Sequence, residues 1–349
     1  MKRYRIGIIG LGNMGSKYLK PLAASPRWEI AGACDVSREK LDWAGSVYPG
    51  IRTTSDASDL FADPSIDVVG LFTLADHRPA QIRAALEHGK HIIAEKPLAS
   101  TVALEEEILP LIEKSDRLVA VNLFNRNAWY HKEIQQFIAS GEIGSLAVLA
   151  VSHQTPGIMP TEGHAPEGPP FHNCGMHYVD VARWYAGSEY DRWHAQGIRM
   201  WGWKDPWWVN AHGSFKNGIV FSITQGFVYG QLARDRVIRS GLEAIGTTGV
   251  VRMWHDFHDV TIEYRGVGRT ETKVGPYGGK KLDVMCDMFA ASLDAGKNLG
   301  LPTARDSYVA SKVSQAMLDQ ATRSDPPAVG TAEEMQRILA HRAQLPDRY

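Results

Sequence analysis

Ile6-Gly7-Ile8-Ile9-Gly10-Leu11-Gly12-Asn13-Met14-Gly15 decides how this chain folds. The apolar residues before Gly10 read as a buried strand, and the segment from Asn13 onward reads as a helix. A turn between them needs small residues for three separate reasons. One permits the tight bend, one lets the backbone approach a diphosphate, and one allows close packing of helix on strand. The helix start then presents unpaired N–H groups to phosphate oxygens. The pattern is short, so its surroundings must support it. They do: a second apolar run, Ile30-Ala31-Gly32-Ala33-Cys34, ends at Asp35, where a ribose-reading acid belongs. A plain strand-to-helix turn, with Asp35 only capping the helix from Ser37, accounts for less of this context. Gly10, Gly12, Asn13, Met14 and Asp35 are therefore candidate dinucleotide-binding residues. A carboxylate at Asp35 favours NAD over NADP, although Arg38 nearby is a possible partner for a phosphate.

Working outward, the first third alternates short apolar runs with amphipathic segments, the pattern of a doubly wound parallel sheet. Strands are expected near 5–9, 28–34, 67–72, 90–94 and 118–122, with helices beginning near Asn13, Ser37, His77 and Thr101. This predicts a Rossmann domain over 1–123 and a second, α+β domain over 124–349. The second domain opens with a helix over 127–139 and changes to two-residue alternation. Strands are expected at 145–154, 190–201, 207–216, 219–229, 242–247, 250–255 and 259–265, forming a large, open, mostly antiparallel or mixed sheet. Lys216-Asn217-Gly218 predicts a hairpin turn, since Asn-Gly tolerates positive φ. Helices over about 280–295 and 303–323 complete that domain.

Composition narrows the function classes. The chain has 349 residues, is 44% hydrophobic and 22% charged, and carries a formal net charge of −1. No global field favours nucleic acid or an anionic membrane. After Lys2, Arg3 and Arg5 a strand begins, not the apolar core of a signal peptide, and no stretch approaches a membrane span, so the expectation is a cytoplasmic enzyme. Cys34, Cys174 and Cys286 are too scattered for a disulfide framework or a cysteine zinc site. His153, His164, His172 and His177 lack metal-ligand spacing, and no metal is expected. Among the tryptophans at 193–208, Trp207 and Trp208 are singled out as candidates for stacking on a sugar, the others as core or subunit contacts. His255 and His258 lie in a polar stretch and read as surface residues.

Ala94-Glu95-Lys96-Pro97-Leu98-Ala99 at the end of the fifth strand is similar to the Glu-Lys-Pro signature of the Gfo/Idh/MocA oxidoreductases. The order of other motifs agrees: Phe124-Asn125-Arg126, Gly141-Glu142-Ile143-Gly144, Gly175-Met176-His177-Tyr178-Val179-Asp180 and Leu242-Glu243-Ala244-Ile245-Gly246-Thr247. The resemblance implies a Rossmann domain, a carboxy-terminal domain on a mixed sheet, and a homodimer or homotetramer packed through that sheet. Phe171-His172-Asn173-Cys174-Gly175-Met176-His177-Tyr178 further resembles the bacterial glucoside 3-dehydrogenases of this family.

The activity implied by the resemblance is NAD-dependent oxidation of a secondary ring hydroxyl of a carbohydrate, the expected target being C3 of a glucoside. His177 is the implied base and Lys96 the partner of the same oxygen, through a cis Lys96–Pro97 bond. Thr73, His77 and Glu95 are implied around the nicotinamide ribose, and Asn125, which with Arg126 begins the second domain, is a further cofactor-binding candidate whose alternative role is hydrogen bonding in the domain linker. Arg126, His153 and His172 are candidate substrate contacts. Asn173 stands where relatives commonly carry aspartate; an amide there orients a hydroxyl but does not stabilise an imidazolium, so a weaker base is expected. The alternatives are a redox-neutral NAD-dependent glycoside hydrolase, an inositol dehydrogenase, and a non-catalytic NAD-binding regulator.

Overall fold

The computed structural model describes residues 2–156, 169, 171–200, 205–230, 232–235, 237–325 and 328–342. The backbone divides into two compact units, Met1–Asn127 with Lys280–Val309, and Ala128–Gly279 with Ala310–Tyr349.

The first unit is built on strands β1 (Tyr4–Ile9), β2 (Trp28–Cys34), β3 (Arg52–Thr54), β4 (Val68–Leu71), β5 (His91–Ala94) and β6 (Val119–Val121). They form one parallel sheet in the order β3-β2-β1-β4-β5-β6. The crossovers carry α1 (Asn13–Ala24), α2 (Arg38–Val47), α3 (Ser58–Phe61), α4 (Arg78–Glu87) and α5 (Val102–Lys114). Ser37 and Thr101 cap α2 and α5, each accepting a bond from the amide three residues on. Strand β4 is buried along its whole length, as a central parallel strand covered on both faces requires.

Two faces of this sheet carry separate apolar cores. On one, Tyr18 stacks on Phe72 with ring centroids 4.1 Å apart. Met285, Cys286 and Phe289 from the later segment 280–309 join that cluster beside Tyr18 and Trp28. The helix over 280–295 thus covers the parallel sheet, and Tyr4 and Arg27 both bond its Asp294. Its apolar stripe required a sheet to cover, but the stripe itself does not say which sheet.

The second unit contains β7 (Leu146–Gln154), β8 (Tyr190–Met200), β9 (Trp208–Phe215), β10 (Val220–Gly226), β11 (Arg239–Gly246), β12 (Val250–His255), β13 (Asp259–Arg265), β14 (Thr270–Pro276) and β15 (Ala328–Val329). Their order is β14-β13-β12-β11-β7-β10-β9-β8-β15. Most neighbours are antiparallel, while β10 runs parallel to β7 and β15 parallel to β8. The expected hairpin is present, with Gly218 at φ +89° between β9 and β10. Strand β14 was not expected because its residues, Thr-Glu-Thr-Lys-Val-Gly-Pro, lack inward apolar side chains and none is fully buried.

One face of this sheet is covered by α6 (Trp129–Ala139), α7 (Met176–Ala186) and the end of α9 (Ala304–Arg323), whose apolar residues share a core with Leu149, Ile223, Leu242, Val251 and Ile262. The helix α8 (Leu282–Ala295) is the one placed on the first sheet, and α10 (Ala332–Arg342) follows β15. The opposite face presents Val220, Ile245, Trp254 and Val274, all exposed.

Candidate functional site

In the first unit, the chain turns sharply after β1. Gly10 sits at φ +90°, where a Cβ would lie 2.9 Å from the Phe72 carbonyl carbon. Gly15 is more constrained: a Cβ there would fall 1.8 Å from the Gly10 carbonyl oxygen. Gly12 differs from both, since nothing lies within 4 Å of a Cβ built on it. Two glycines of the motif are thus filled against protein, and the middle one faces open space at the start of α1. This is the cradle a dinucleotide diphosphate fits: a helix N-terminus with an open backbone face.

Asp35 at the end of β2 is buried, and its carboxylate accepts bonds from the Leu11 amide at 2.7 Å and the Ser37 amide at 2.9 Å. It therefore ties the glycine turn to the start of α2, with Lys40 Nζ 3.6 Å away. Arg38 is largely exposed and donates to Asp42 one turn along its helix. Asn13 is exposed and Met14 half-buried, its thioether 3.3 Å from Lys280 Nζ.

At the same carboxyl edge of the parallel sheet, β5 ends in Glu95, Lys96 and the cis Lys96–Pro97 peptide. Glu95 and Lys96 are both buried. Asn122 donates to the Glu95 carboxylate at 2.7 Å, and the Leu98 amide donates to Glu105 at 2.7 Å. Arg78 donates to the carbonyls of Pro97 and Thr73, joining the ends of β4 and β5. Thr73 donates to Gln81 at 2.6 Å. His77 is exposed beside Asp76. Asn125 is buried, and Arg126 pairs with Asp306 at 3.1 Å.

The second unit holds His153, His172, Asn173 and His177, all buried. His172 and Asn173 lie in a π-helical turn, Phe171–Gly175, that runs directly into α7. The four-residue step from Asn173 to His177 therefore starts in wider backbone than an α-helix and ends within α7. His172 Nε2 pairs with Ser311 Oγ at 2.9 Å. His153 Nδ1 pairs with Ser240 Oγ at 2.9 Å, and its ring stacks on Tyr178 with centroids 4.6 Å apart. Burial pushes the His153 imidazole down to about 3, so it is neutral at ordinary pH.

The reading of His255 as a surface residue is corrected. It is buried at the end of β12 against Tyr130, Phe257 and Tyr277, and burial lowers it to about 4. His258 is exposed. Sequence reasoning also passed over Gln225, which is 1% exposed, and Asp180, fully buried one turn after His177. The available signal was phase. Phe221, Ile223 and Gln225 share one face of β10, as Val251, Met253 and His255 do on β12, so a polar residue falls where the alternation calls for an apolar one.

Trp207 is buried against Phe227, and Trp208 donates to Gln154 at 3.3 Å. Trp201, Trp203 and His164 lie outside the described residues. Among the described residues no group of three or more His, Cys, Asp or Glu could hold a metal ion, and no helix is long and apolar enough to cross a membrane.

Residues 4–123 match the model of the oxidoreductase family with the NAD-binding Rossmann fold, and residues 131–252 match that of the GFO/IDH/MocA C-terminal domain. The chain belongs to the Gfo/Idh/MocA family, and its first unit is an NAD-binding Rossmann domain. An uncharacterized oxidoreductase, YrbE of Bacillus subtilis, is 28% identical over 200 residues, 57% of this chain and 58% of that protein. Inositol 2-dehydrogenase of Rhodococcus jostii is 30% identical over 159 residues, 45% of this chain and 43% of that enzyme. The chain thus spans about half the length of the curated relatives it matches. A levoglucosan dehydrogenase solved with NADH and levoglucosan shares the fold, with a TM-score of 0.76, 19% identity, and coverage of 92% of this chain and 98% of that one.

Proposed function

We propose that this protein is an NAD-dependent oxidoreductase acting on a secondary ring hydroxyl of a neutral sugar or cyclic polyol. The observation that carries the reading is Lys96, a lysine held 8% exposed at the sheet edge that also bears the glycine cradle. Lysine is almost never buried without a task, because removing an ammonium from water is costly. His177 supplies the complementary group, an imidazole nitrogen that can take up a hydroxyl proton and return it.

When bound, the nicotinamide supplies the hydride acceptor. The chain manages the oxygen. His177 takes the hydroxyl proton as the carbon is oxidised and returns it in the reverse direction. Lys96 donates to the same oxygen and stabilises the charge that develops on it. Asp35 receives the ribose hydroxyls and repels a 2′-phosphate, which favours NAD, while Arg38 is engaged by Asp42. Thr73, His77 and Glu95 serve the other ribose, Asn125 is a further cofactor contact, and Arg126, His153, His172 and Asn173 orient the polyol.

C3 of a glucoside is the first target to test, on the strength of the Phe171–Tyr178 phrasing. The inositol ring is the second, supported by the name of the Rhodococcus relative. We further propose a homodimer or homotetramer formed through the exposed face bearing Val220, Ile245, Trp254 and Val274, since an apolar sheet face needs cover.

The test is NADH formation with methyl glucosides, free hexoses, inositols and a chromogenic glucoside. Lys96→Met and His177→Phe should each lower turnover by about 10²–10⁴-fold. No NADH with any member of the panel overturns the reading, and aglycone release without NADH replaces it with redox-neutral hydrolysis.

A further inference from the structure

Four polar side chains lie in register across four strands of the nine-stranded sheet. Gln225 of β10 is opposite His153 of β7, His153 is opposite Ser240 of β11, and Ser240 is opposite His255 of β12. All four are buried and on the face that packs against α7. The next positions inward in the same register, Ile223, Val151, Leu242 and Met253, are apolar core. The polar row is therefore the last rung before the sheet ends, at the carboxyl ends of β7, β10 and β12.

Two members are left with a cost. Gln225 is 1% exposed and its amide nitrogen has no hydrogen-bond partner among the described residues; His255 is 7% exposed and its Nδ1 is likewise unpartnered. A buried polar group in that condition has given up its hydrogen bonds to water and received none in exchange. Leucine or phenylalanine at these positions would continue the apolar alternation at no such cost. Around the row stand aromatic rings. Tyr178 stacks on His153; Phe257 meets His153 and His255 at 5.8 and 5.0 Å between centroids; Tyr277 lies 4.7 Å from His255. Phe257 holds φ at +72°, an uncommon conformation for a bulky residue. Tyr178, whose ring stacks on His153, is the residue that follows His177 on α7.

We propose that Gln225 and His255 are specificity-determining residues that bind hydroxyl groups of the substrate ring, away from the hydroxyl that is oxidised. This deepens the reading of the protein as a polyol dehydrogenase and rests on it. The amide nitrogen donates to one ring hydroxyl, and the imidazole nitrogen exchanges a hydrogen bond with another. Rings beside neutral donors and acceptors suit a ligand with C–H faces and an equator of hydroxyls. The four positions of the row hold no charged side chain, so they select uncharged rings over uronates and sugar phosphates.

The experiment compares the wild-type protein with Gln225→Met and His255→Phe, each with NADH bound. Calorimetric affinities are measured for myo-inositol, methyl α-glucoside, glucuronate and glucose 6-phosphate, alongside kcat and KM for whichever is oxidised. Each variant should weaken binding of the neutral ring about tenfold or more, raising KM far more than it lowers kcat. The midpoint of thermal unfolding should stay level or rise, because an unpaired polar group has been replaced by an apolar one. That last readout separates ligand binding from packing, since loss of a merely structural residue lowers the midpoint. His177→Phe is the control: it should lose turnover while keeping affinity. Polyol binding without turnover in the wild type would sink the dehydrogenase reading and leave the row standing. Unchanged affinity in both variants, failure of the wild type to bind either neutral ring, or tighter binding of the charged sugars would overturn the row's role.

Discussion

The two sheets prepare for their ligands by opposite means. At the edge of the parallel sheet, the glycine turn offers backbone, and the side chains around it are already engaged: Asp35 with the Leu11 and Ser37 amides, Glu95 with Asn122, Arg78 with two carbonyls. At the end of the nine-stranded sheet, side chains do the work, and Gln225 and His255 retain unpaired polar atoms. A site of the first kind is stable without its ligand. One of the second kind carries a standing energetic cost that its ligand relieves.

The sharpest way to break this contrast is within the glycine turn. Gly15→Ala places a methyl 1.8 Å from the Gly10 oxygen, so α1 must shift off β1. We expect a loss of about 3 kcal/mol or more, read as a large fall in the unfolding midpoint. Gly12→Ala meets nothing, so the midpoint should barely move while NADH affinity, followed by fluorescence titration, falls by an order of magnitude or more. Equal destabilisation by both would mean the turn has no open face.

Acid should distinguish the sheets next. His131 and His153 are pushed down to about 3 and His255 to about 4, each chiefly by burial in the second unit. Their folded values lie below the unfolded value of about 6.5, so the unfolded chain binds the extra protons. Stability contributed by these groups is whole above pH about 6.5 and drains as pH falls toward 4, by up to about 1.4 kcal/mol per pH unit for each histidine. Denaturant midpoints measured across that range should decline, and His255→Phe should flatten the decline. A slope untouched by the substitution would show that His255 titrates normally.

Asn173→Asp should have a smaller effect, raising turnover about tenfold, because a carboxylate favours the imidazolium of His177 that forms as the proton moves. Equal or lower activity removes that idea. Smallest is Asp35→Ser, which should shift preference toward NADP several-fold and, through loss of the Leu11 contact, weaken binding of both cofactors. A preference ratio that does not change would take Asp35 out of ribose recognition.

The first site was legible in the sequence because its chemistry is local. Six residues hold the turn, and Lys96 comes two residues after the end of its strand. In the second unit the histidines were named one by one, but their grouping was not. Gln225, His153, Ser240 and His255 span about a hundred positions, and only the parallel pairing of β10 with β7 brings the first two abreast. His255 was misread because its sequence neighbours Asp256 and His258 are exposed; its strand phase, two residues beyond Met253, points the other way. The destination of α8 was hidden for a related reason: an apolar stripe states that a helix is covered, not by what.

That helix has a practical consequence. The polypeptide leaves the Rossmann unit after Asn127 and re-enters at Lys280 before departing again past Val309. No single cut can liberate this unit whole. A fragment ending at residue 127 would leave Tyr18 and Trp28 without Met285 and Phe289, and such a fragment should aggregate. Splicing 280–309 onto its end through a short flexible linker should instead yield a soluble, independently folding nucleotide binder.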